Sequence, residues 1–271
     1  MRICRSKYVD RVGRDNSPTG RLRTHLAEAR AERLLAEAAV DDRAWLDQLR
    51  QDFPRVVAHL QRGWRLKFRG RILEIGAGAC ALSAELSKLP QVVEIVATDV
   101  SRRLLQELAP RVFLHLEARC DKIVRMPADY YHLEFPNSHF DFVVCSATLH
   151  EAIDVTAVLR EVKRVLKPGG KMVAVREPRP PWWPNSWRWN RSEDPAPRRR
   201  PYSLAEYRAF FAAAGLQLMA RRFWPDGGLR EYFNEVWEGL GRDTYVLVAV
   251  RPPSPTHSRF GTDVVTLLQR S

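Results

Sequence analysis

The middle of the chain alternates short apolar runs with longer stretches whose apolar residues recur at helical spacing. Runs of strand length occur at residues 71–76, 92–99, 122–126, 140–146 and 171–177. Helical spacing predicts helices at residues 79–89, 101–116 and 155–166. Pro168, Gly169 and Gly170 form a stop signal after the last of these helices. Strands that alternate with helices are typical of an α/β domain with a mostly parallel sheet.

The pattern continues with a predicted helix at residues 203–214, followed by strands at 216–223 and 244–250. The connection between these two strands leaves no room for a standard crossover helix. We therefore expect the last strand to run antiparallel.

The two ends of the chain carry a weaker pattern. Residues 1–19 show neither a helical nor a strand period and are predicted to form a mobile arm. Residues 20–66 predict a helical cap, with one helix at 20–40 and a break in the next before Pro54. This cap either only packs on the main domain or also forms a lid over a substrate pocket. Residues 67–251 form the main domain, with an insertion rich in Trp, Arg and Pro at 178–202, and residues 252–271 are predicted to form a loose tail.

The composition, with 45% hydrophobic and 28% charged residues, is that of a globular protein. No apolar stretch approaches the roughly 20 residues that a membrane-spanning helix needs, so a cytoplasmic protein is expected. The four cysteines form no C-x-x-C pair, which argues against a zinc cluster or a disulfide framework. We therefore predict no metal site and a reducing compartment.

The net charge of +12 suggests nucleic acid, an anionic lipid surface or an acidic substrate as a partner. Only seven of the 44 basic residues are lysine, however. The codon composition of a GC-rich genome produces such an arginine excess without selection for binding. Nucleic acid is therefore an alternative that the charge alone does not favour.

A glycine-containing turn joins the first predicted strand of the domain to the helix that follows it, in ILEIGAGACALSAEL at residues 72–86. Gly76 and Gly78 let a ligand approach the backbone closely, and the helix start supplies unpaired N–H groups. The same string satisfies G-x-G-x-x-A, so it also fits a nicotinamide-dependent enzyme. Glu74 lies near the end of a buried strand and needs a partner, for which a ligand ammonium group is suitable.

Two aspartates follow the next two strands. Asp99 ends the second strand, where its carboxylate can accept hydrogen bonds from two ribose hydroxyls. Its alternative role is to cap a helix, although Ser101 can do that instead. Asp129 follows the third strand and can accept a hydrogen bond from an adenine amino group; the alternative is an ordinary surface loop.

Together these segments resemble the class I S-adenosylmethionine-dependent methyltransferases, in particular the branch of ubiquinone and menaquinone biosynthesis enzymes and small-molecule methyltransferases. The matching strings are LEIGAGACALS, ATDVS, MPADYYHLEFPNSHFDFVVCSATLHE, LREVKRVLKPGGKMVAVREP and YSLAEYRAFFAAAGL. The resemblance implies a Rossmann-like sheet of seven strands with an antiparallel last strand, and S-adenosylmethionine as cofactor. The cofactor contacts that it implies are Glu74, Gly76, Ala77, Gly78, Asp99, Val100, Asp129, Tyr130 and Ser146.

Cys80 departs from the family, which commonly has a third glycine at this position. Its side chain must fit beside the helix start, so we expect weakened but not lost cofactor binding. A helix N-terminus lowers the pKa of a thiol, which makes a redox role the alternative.

Methyl transfer from a sulfonium is an in-line displacement, in which positioning supplies most of the rate. A hydroxyl acceptor also benefits from a general base. His150 and Glu151 follow the fourth strand at the carboxyl edge of the sheet and are the catalytic candidates. The alternative for His150 is a packing residue at a helix start.

The insertion contains Trp182 and Trp183, which we predict to line a pocket for an aromatic or lipophilic acceptor. A loop that packs on the N-terminal helices is one alternative. Peripheral contact with a membrane is the other, because tryptophan beside arginine suits a headgroup region.

The leading hypothesis is therefore a methyltransferase that acts on a small molecule at oxygen, carbon or nitrogen. Methylation of RNA, DNA or protein is the first alternative, supported by the charge. Against it, Cys145-Ser146-Ala147-Thr148 lacks the [D/N]-P-P-[Y/F] motif of enzymes that methylate exocyclic amino groups of nucleic acids. A non-enzymatic module that binds S-adenosylmethionine is the second alternative.

Overall fold

The computed structural model describes residues 6–10, 41–180, 201–223 and 244–253 of the 271-residue chain, together with several residues between 20 and 39. The described residues between 20 and 39 are all helical, as the sequence predicts for this segment. The predicted substrate residues Trp182 and Trp183, most of the 178–202 insertion and nearly all of the predicted C-terminal tail lie outside the described residues.

An eight-stranded sheet forms the centre of the described structure. Its strands are β1 (Lys7–Tyr8), β2 (Gly70–Ile75), β3 (Val92–Asp99), β4 (Ile123–Pro127), β5 (Phe140–Ser146), β6 (Leu166–Pro178), β7 (Gln217–Phe223) and β8 (Thr244–Val250). They lie in the order β1-β4-β3-β2-β5-β6-β8-β7, and β8 runs antiparallel to both of its neighbours. The predicted fold class and the antiparallel last strand are confirmed.

Helices pack on both faces of this sheet. They are α1 (Asp42–Gly63), α2 (Ala81–Ser87), α3 (Ala109–His115), α4 (Val155–Val165) and α5 (Leu204–Ala213). A π-helical turn at Leu104–Leu108 leads directly into α3, within what the sequence predicts as one regular helix. Two clusters of buried apolar side chains, one on each face, form the core between these layers.

The prediction of a helix break before Pro54 is wrong, because α1 continues through this residue. A proline inside a helix removes one main-chain hydrogen bond and costs about 3 kcal/mol. Phe53, Val56, Val57 and Leu60 lie around it and are each at most 5% exposed. Burial of such side chains contributes about 1.5–3 kcal/mol each, which outweighs the cost of the proline.

The eighth strand, β1, comes from the segment that the sequence predicts as a mobile arm. Lys7 and Tyr8 pair in parallel with Val124 and Arg125 of β4, and the N–H of Val9 donates to the carbonyl of Arg125 at 3.0 Å. A two-residue strand is too short to show a period of two. For this reason the pattern predicts seven strands and the structure has eight.

The Pro168-Gly169-Gly170 segment ends α4 as predicted, but it belongs to β6 rather than to a separate turn. Phe140 of β5 pairs with Leu166, and Phe142 pairs with Lys171. Between these pairs β6 advances by five residues while β5 advances by two, so the extra residues of β6 bulge out of the ladder. The N–H of Gly169 donates to the carbonyl of Arg251 at 2.9 Å. This bond keeps the bulged segment attached to the sheet.

The cysteines also differ from the expectation. Cys80 and Cys145 are free and buried, but Cys120 is disulfide-bonded.

Candidate cofactor and catalytic site

The carboxyl ends of β2 and β5 meet at the point where the strand order of the sheet reverses. From β2 the chain moves outward through β3 and β4, and it then crosses to β5 on the other side of β2. Open α/β sheets bind ligands in the crevice beside such a reversal. The last residues of β2, β3 and β5 and the segments that follow β2, β3 and β4 carry all nine predicted cofactor residues, so the structure brings these positions to one edge of the sheet.

The turn after β2 is built from residues in the left-handed region of backbone conformation. Gly76, Gly78 and Cys80 have φ values of 58°, 52° and 60°. The N–H of Ala77 donates to the carbonyl of Thr98 at 2.9 Å, which ties the turn to the end of β3. Left-handed backbone explains why glycine is common at the position of Cys80, since a side chain there costs about 1–2 kcal/mol.

The Cys80 side chain is fully buried beside this turn. Burial, and then the negative charges of Glu74 and Asp99, raise the pKa of its thiol well above the ordinary value. This direction is opposite to the effect of a helix N-terminus. It argues against the redox role that the sequence leaves as an alternative.

Asp99 closes the turn from the neighbouring strand. One of its carboxylate oxygens accepts a hydrogen bond from the N–H of Gly78 at 2.8 Å, and the other accepts one from the N–H of Ser101 at 2.9 Å. The side chain is only 4% exposed. Asp99 therefore anchors the glycine turn and also places a negative charge at the reversal point.

Glu74 is 1% exposed, and its main partner is Ser83 in α2. The N–H of Ser83 donates to the Glu74 carboxylate at 2.9 Å, and the Ser83 hydroxyl donates to the same oxygen. The prediction that this buried carboxylate needs a partner is met within the protein. Contact with a ligand ammonium group stays a prediction.

The segment after β4 lies beside Asp99, because the N–H of Ala128 donates to the Asp99 carbonyl at 3.1 Å. The Asp129 carboxylate accepts a hydrogen bond from the N–H of Tyr131 at 2.9 Å and so shapes the local turn. Tyr130 is partly buried next to it, and Val100 is partly buried after β3. All three residues follow the carboxyl ends of the adjacent strands β3 and β4.

Ser146 ends β5, and the following turn brings in Thr148, which the sequence analysis does not single out. The Thr148 hydroxyl oxygen lies 3.0 Å from the carbonyl oxygen of Ser146 and 3.3 Å from that of Gly76, so its single proton is shared between or alternates between these two acceptors. It is 1% exposed. Thr148 therefore joins the two segments that face each other across the reversal point.

Glu177 near the end of β6 is the second residue that sequence reasoning missed. Its side chain is 0% exposed and accepts hydrogen bonds from the N–H groups of Thr148, Leu149 and His150 at 2.8, 2.9 and 3.1 Å. The Tyr207 hydroxyl of α5 also donates to it, at 3.1 Å. The signal was present, since the argument that singles out Glu74 applies equally to a glutamate at the end of another buried strand.

His150 lies in a 3-10 turn (Leu149–Glu151), and its Nδ1 is 3.1 Å from a Glu177 carboxylate oxygen. Burial alone raises the pKa of Glu177. The hydrogen bond and charge of His150, together with the N–H groups of Leu149 and Thr148, outweigh that effect and hold this pKa below the ordinary value. Burial and the nearby Glu177 charge raise the pKa of Tyr207 far above the ordinary value, so its hydroxyl stays protonated and donates. Glu151 lies in the same turn, and its catalytic role stays a prediction.

Comparison with known proteins agrees with this geometry. Residues 73–174 match a family model described as a methyltransferase domain. The ubiquinone/menaquinone biosynthesis C-methyltransferase UbiE of Shewanella sp. (strain W3-18-1) is 30% identical over 111 residues, which cover 41% of this chain and 43% of that protein. The chain thus matches less than half the length of this relative.

Solved structures share the fold. The YcgJ protein from Bacillus subtilis has 21% sequence identity and a TM-score of 0.55, with 73% of this chain and 98% of that chain covered. Phosphoethanolamine N-methyltransferase 2 of Haemonchus contortus, in complex with phosphomonomethylethanolamine and S-adenosylhomocysteine, has 16% identity and a TM-score of 0.54. Its alignment covers 72% of this chain and 52% of that chain.

In the part of the chain that the structure describes, none of the helices is long and apolar enough to cross a membrane. Residues 73–174 are similar to the methyltransferase domain family, and the described helices and strands share the fold of the solved structures named above.

Proposed function

We propose that the protein is a methyltransferase that transfers the methyl group of S-adenosylmethionine to a small-molecule acceptor. The observation that carries the proposal is the pair of buried carboxylates, Glu74 and Asp99, at the carboxyl ends of adjacent strands around a left-handed glycine turn. A cofactor with a ribose diol and positively charged groups suits this combination.

The residues present fit this cofactor. When bound, it supplies a methyl group activated on a positively charged sulfur. The turn at Gly76 and Gly78 allows close approach to the main chain, because neither residue carries a β-carbon. Asp99 would hold the ribose hydroxyls, and Asp129 would accept a hydrogen bond from the adenine amino group. Val100 and Tyr130 follow the neighbouring strands β3 and β4 and would contact the adenine ring.

A small molecule is the acceptor that the relatives favour, since the UbiE proteins are named for methylation at carbon in quinone biosynthesis. Cys145-Ser146-Ala147-Thr148 leaves β5 without the motif of enzymes that methylate nucleic-acid amino groups. The catalytic candidates His150 and Glu151 lie in the turn that follows β5, at the same edge of the sheet.

Binding of S-adenosylmethionine, measured by calorimetry, tests the first half of the proposal, with NAD as the competing ligand. We expect saturable binding of S-adenosylmethionine only. Asp99→Asn should weaken binding at least about tenfold, because a hydrogen bond to a charged group is worth roughly 1.5–3 kcal/mol. Asp121→Asn is the matched control, since Asp121 is an exposed aspartate that pairs with Arg119.

Transfer of a labelled methyl group from S-adenosylmethionine into a cell extract tests the second half. The extract is separated afterwards into small-molecule, RNA and protein fractions. Label in the small-molecule fraction supports the proposal, whereas label confined to RNA or protein refutes the acceptor class. Binding without label in any fraction would indicate a binding module rather than an enzyme.

A further inference from the structure

The end of β6 contains a bulge that reverses the direction of its side chains. Ala174 pairs with Leu247, and Glu177 pairs with Tyr245. Between these two pairs β6 advances by three residues, whereas β8 advances by only two. The extra residue is accommodated at Arg176, whose φ is 57°. A residue in the left-handed region is a common way to build such a bulge.

The bulge decides where Glu177 points. Val175 packs on the face of the sheet that α1 covers, and regular alternation would send Arg176 to the opposite face and Glu177 to the α1 face. Instead, the Arg176 guanidinium lies 5.3 Å from the centre of the Phe53 ring in α1. Glu177 is turned to the other face, where it meets Tyr207 and the His150 turn.

The environment of Glu177 consists of donors. Three main-chain N–H groups, the Tyr207 hydroxyl and Nδ1 of His150 converge on its two oxygens. A buried carboxyl group that receives only donors is stabilised in its ionised form. An ionised Glu177 requires a proton on Nδ1 of His150, because two acceptors would otherwise face each other.

In the neutral form of the ring, a proton on Nδ1 leaves a lone pair on the second nitrogen of His150, Nε2. Among the residues that the structure describes, none forms a hydrogen bond with Nε2, and the His150 side chain is 18% exposed. Two residues before His150, Thr148 contacts the carbonyl of Gly76 in the glycine turn after β2. The ring of His150 is therefore held at the edge of the crevice, where Nε2 faces no hydrogen-bond partner among the described residues.

We propose that His150 is the general base of the reaction, that Glu177 is its positioning residue, and that the acceptor is a phenol or enol hydroxyl. The inference rests on the proposed function. A neutral amine attacks a methyl group without prior loss of a proton, whereas a neutral hydroxyl is a poor nucleophile and gains most from a base.

The proton and electron balance is simple. The acceptor O–H proton moves to Nε2 of His150, and the electron pair of that bond stays on the acceptor. The acceptor forms a bond to the methyl carbon while the electron pair of the carbon–sulfur bond stays on sulfur. The imidazolium that results is stabilised by Glu177 and later loses its proton to water. Deprotonation of a phenol or enol activates both the oxygen and a conjugated carbon, and analysis of the product distinguishes the two.

The tautomer of His150 can be measured without any substrate. Protein labelled with ¹⁵N-histidine gives a long-range ¹H–¹⁵N spectrum in which protonated and unprotonated ring nitrogens differ, and His150→Gln identifies the signals. We expect His150 with a proton on Nδ1 in the wild type and loss of this preference in Glu177→Gln. Asp47→Asn is the control, because Asp47 pairs with another histidine, His115, at 3.0 Å. A proton on Nε2 in the wild type would overturn the proposal.

Kinetics with para-substituted phenols, whose pKa values span about 7 to 10, test the role of the base. For the least acidic phenol, His150→Gln should lower kcat by a factor of about 10²–10⁴. The loss should shrink for the more acidic phenols, which ionise without help, and Asp47→Asn should leave every rate unchanged. An equal loss for all phenols would indicate a structural role. S-adenosylmethionine binding without methylation of any phenol would refute the acceptor class, whereas absent binding would refute the proposed function itself.

Discussion

Replacement of Gly76 by alanine should destabilise the protein through two separable effects. The φ of Gly76 is 58°, and an alanine in this region costs about 1–2 kcal/mol. In addition, a β-carbon built on Gly76 lies 2.4 Å from Cγ2 and 2.9 Å from Oγ1 of Thr148. Thr148 is 1% exposed and cannot move aside into solvent. Overpacking of this kind costs about 1–3 kcal/mol, so the total loss should be about 2–5 kcal/mol.

Gly169→Ala is the matched control for the backbone effect. Gly169 also has a positive φ, 78°, but a β-carbon there meets no atom within 4 Å. Urea unfolding of both variants gives the two free energies of unfolding, and their difference isolates the steric contribution at Gly76. Adding Thr148→Ser to the Gly76 variant removes Cγ2 and should recover part of the loss. Equal destabilisation of the Gly76 and Gly169 variants would refute the argument for close packing at the reversal point.

Three further predictions concern other parts of the structure. Arg125→Met removes the buried guanidinium that contacts main-chain carbonyls near β1, so hydrogen exchange at Tyr8 and Val9 should accelerate about tenfold without a comparable change in β3. Tyr207→Phe removes one donor to Glu177 and should lower the free energy of unfolding by about 1–3 kcal/mol; a change below the error of urea titration would contradict this. Because the pKa of Glu177 is lowered in the folded state, the stability that it contributes is complete above the ordinary carboxyl pKa of about 4.3 and is lost as the pH falls through the lowered value. The difference in stability between wild type and Glu177→Gln should therefore shrink in acid.

Much of the fold could be predicted because its strands are buried on both faces. The predicted bounds 92–99, 140–146 and 244–250 coincide with β3, β5 and β8. Each is an apolar run whose ends are marked by polar or turn-forming residues. Tertiary packing decides the features that were missed. α1 passes through Pro54 because its neighbours are buried in the core, and β1 exists because β4 offers an unpaired edge.

The residues of the candidate site also fall into two groups, those that a local sequence motif predicts and those that depend on tertiary structure. The residues of the turn at Gly76 and Gly78 are neighbours in sequence, so a local motif was enough to find them. Glu177 acts on His150 across 27 positions of sequence, and the direction of its side chain depends on one extra residue in β6. Regular alternation of side chains along β6 would place Glu177 on the face of the sheet that α1 covers, whereas its side chain lies on the opposite face. Only the register with β8 reveals the bulge.

Backbone strain provides the last link between the fold and the site. Among the described residues, Cys80, Ala147 and Arg176 carry a side chain in the left-handed region at the ends of β2, β5 and β6. Each costs about 1–2 kcal/mol relative to an ordinary conformation, so together they cost about 3–6 kcal/mol. Such conformations persist where surrounding contacts over-determine them. Here the N–H of Ala147 donates to the carbonyl of Val175 at 2.9 Å, and the network around Glu177 fixes the turn that follows. Three of the six described non-glycine residues with a positive φ thus lie on the segments that bring the glycine turn, Thr148 and the His150–Glu177 pair to one edge of the sheet, whereas the other three, Arg65, Glu117 and Ser138, lie elsewhere.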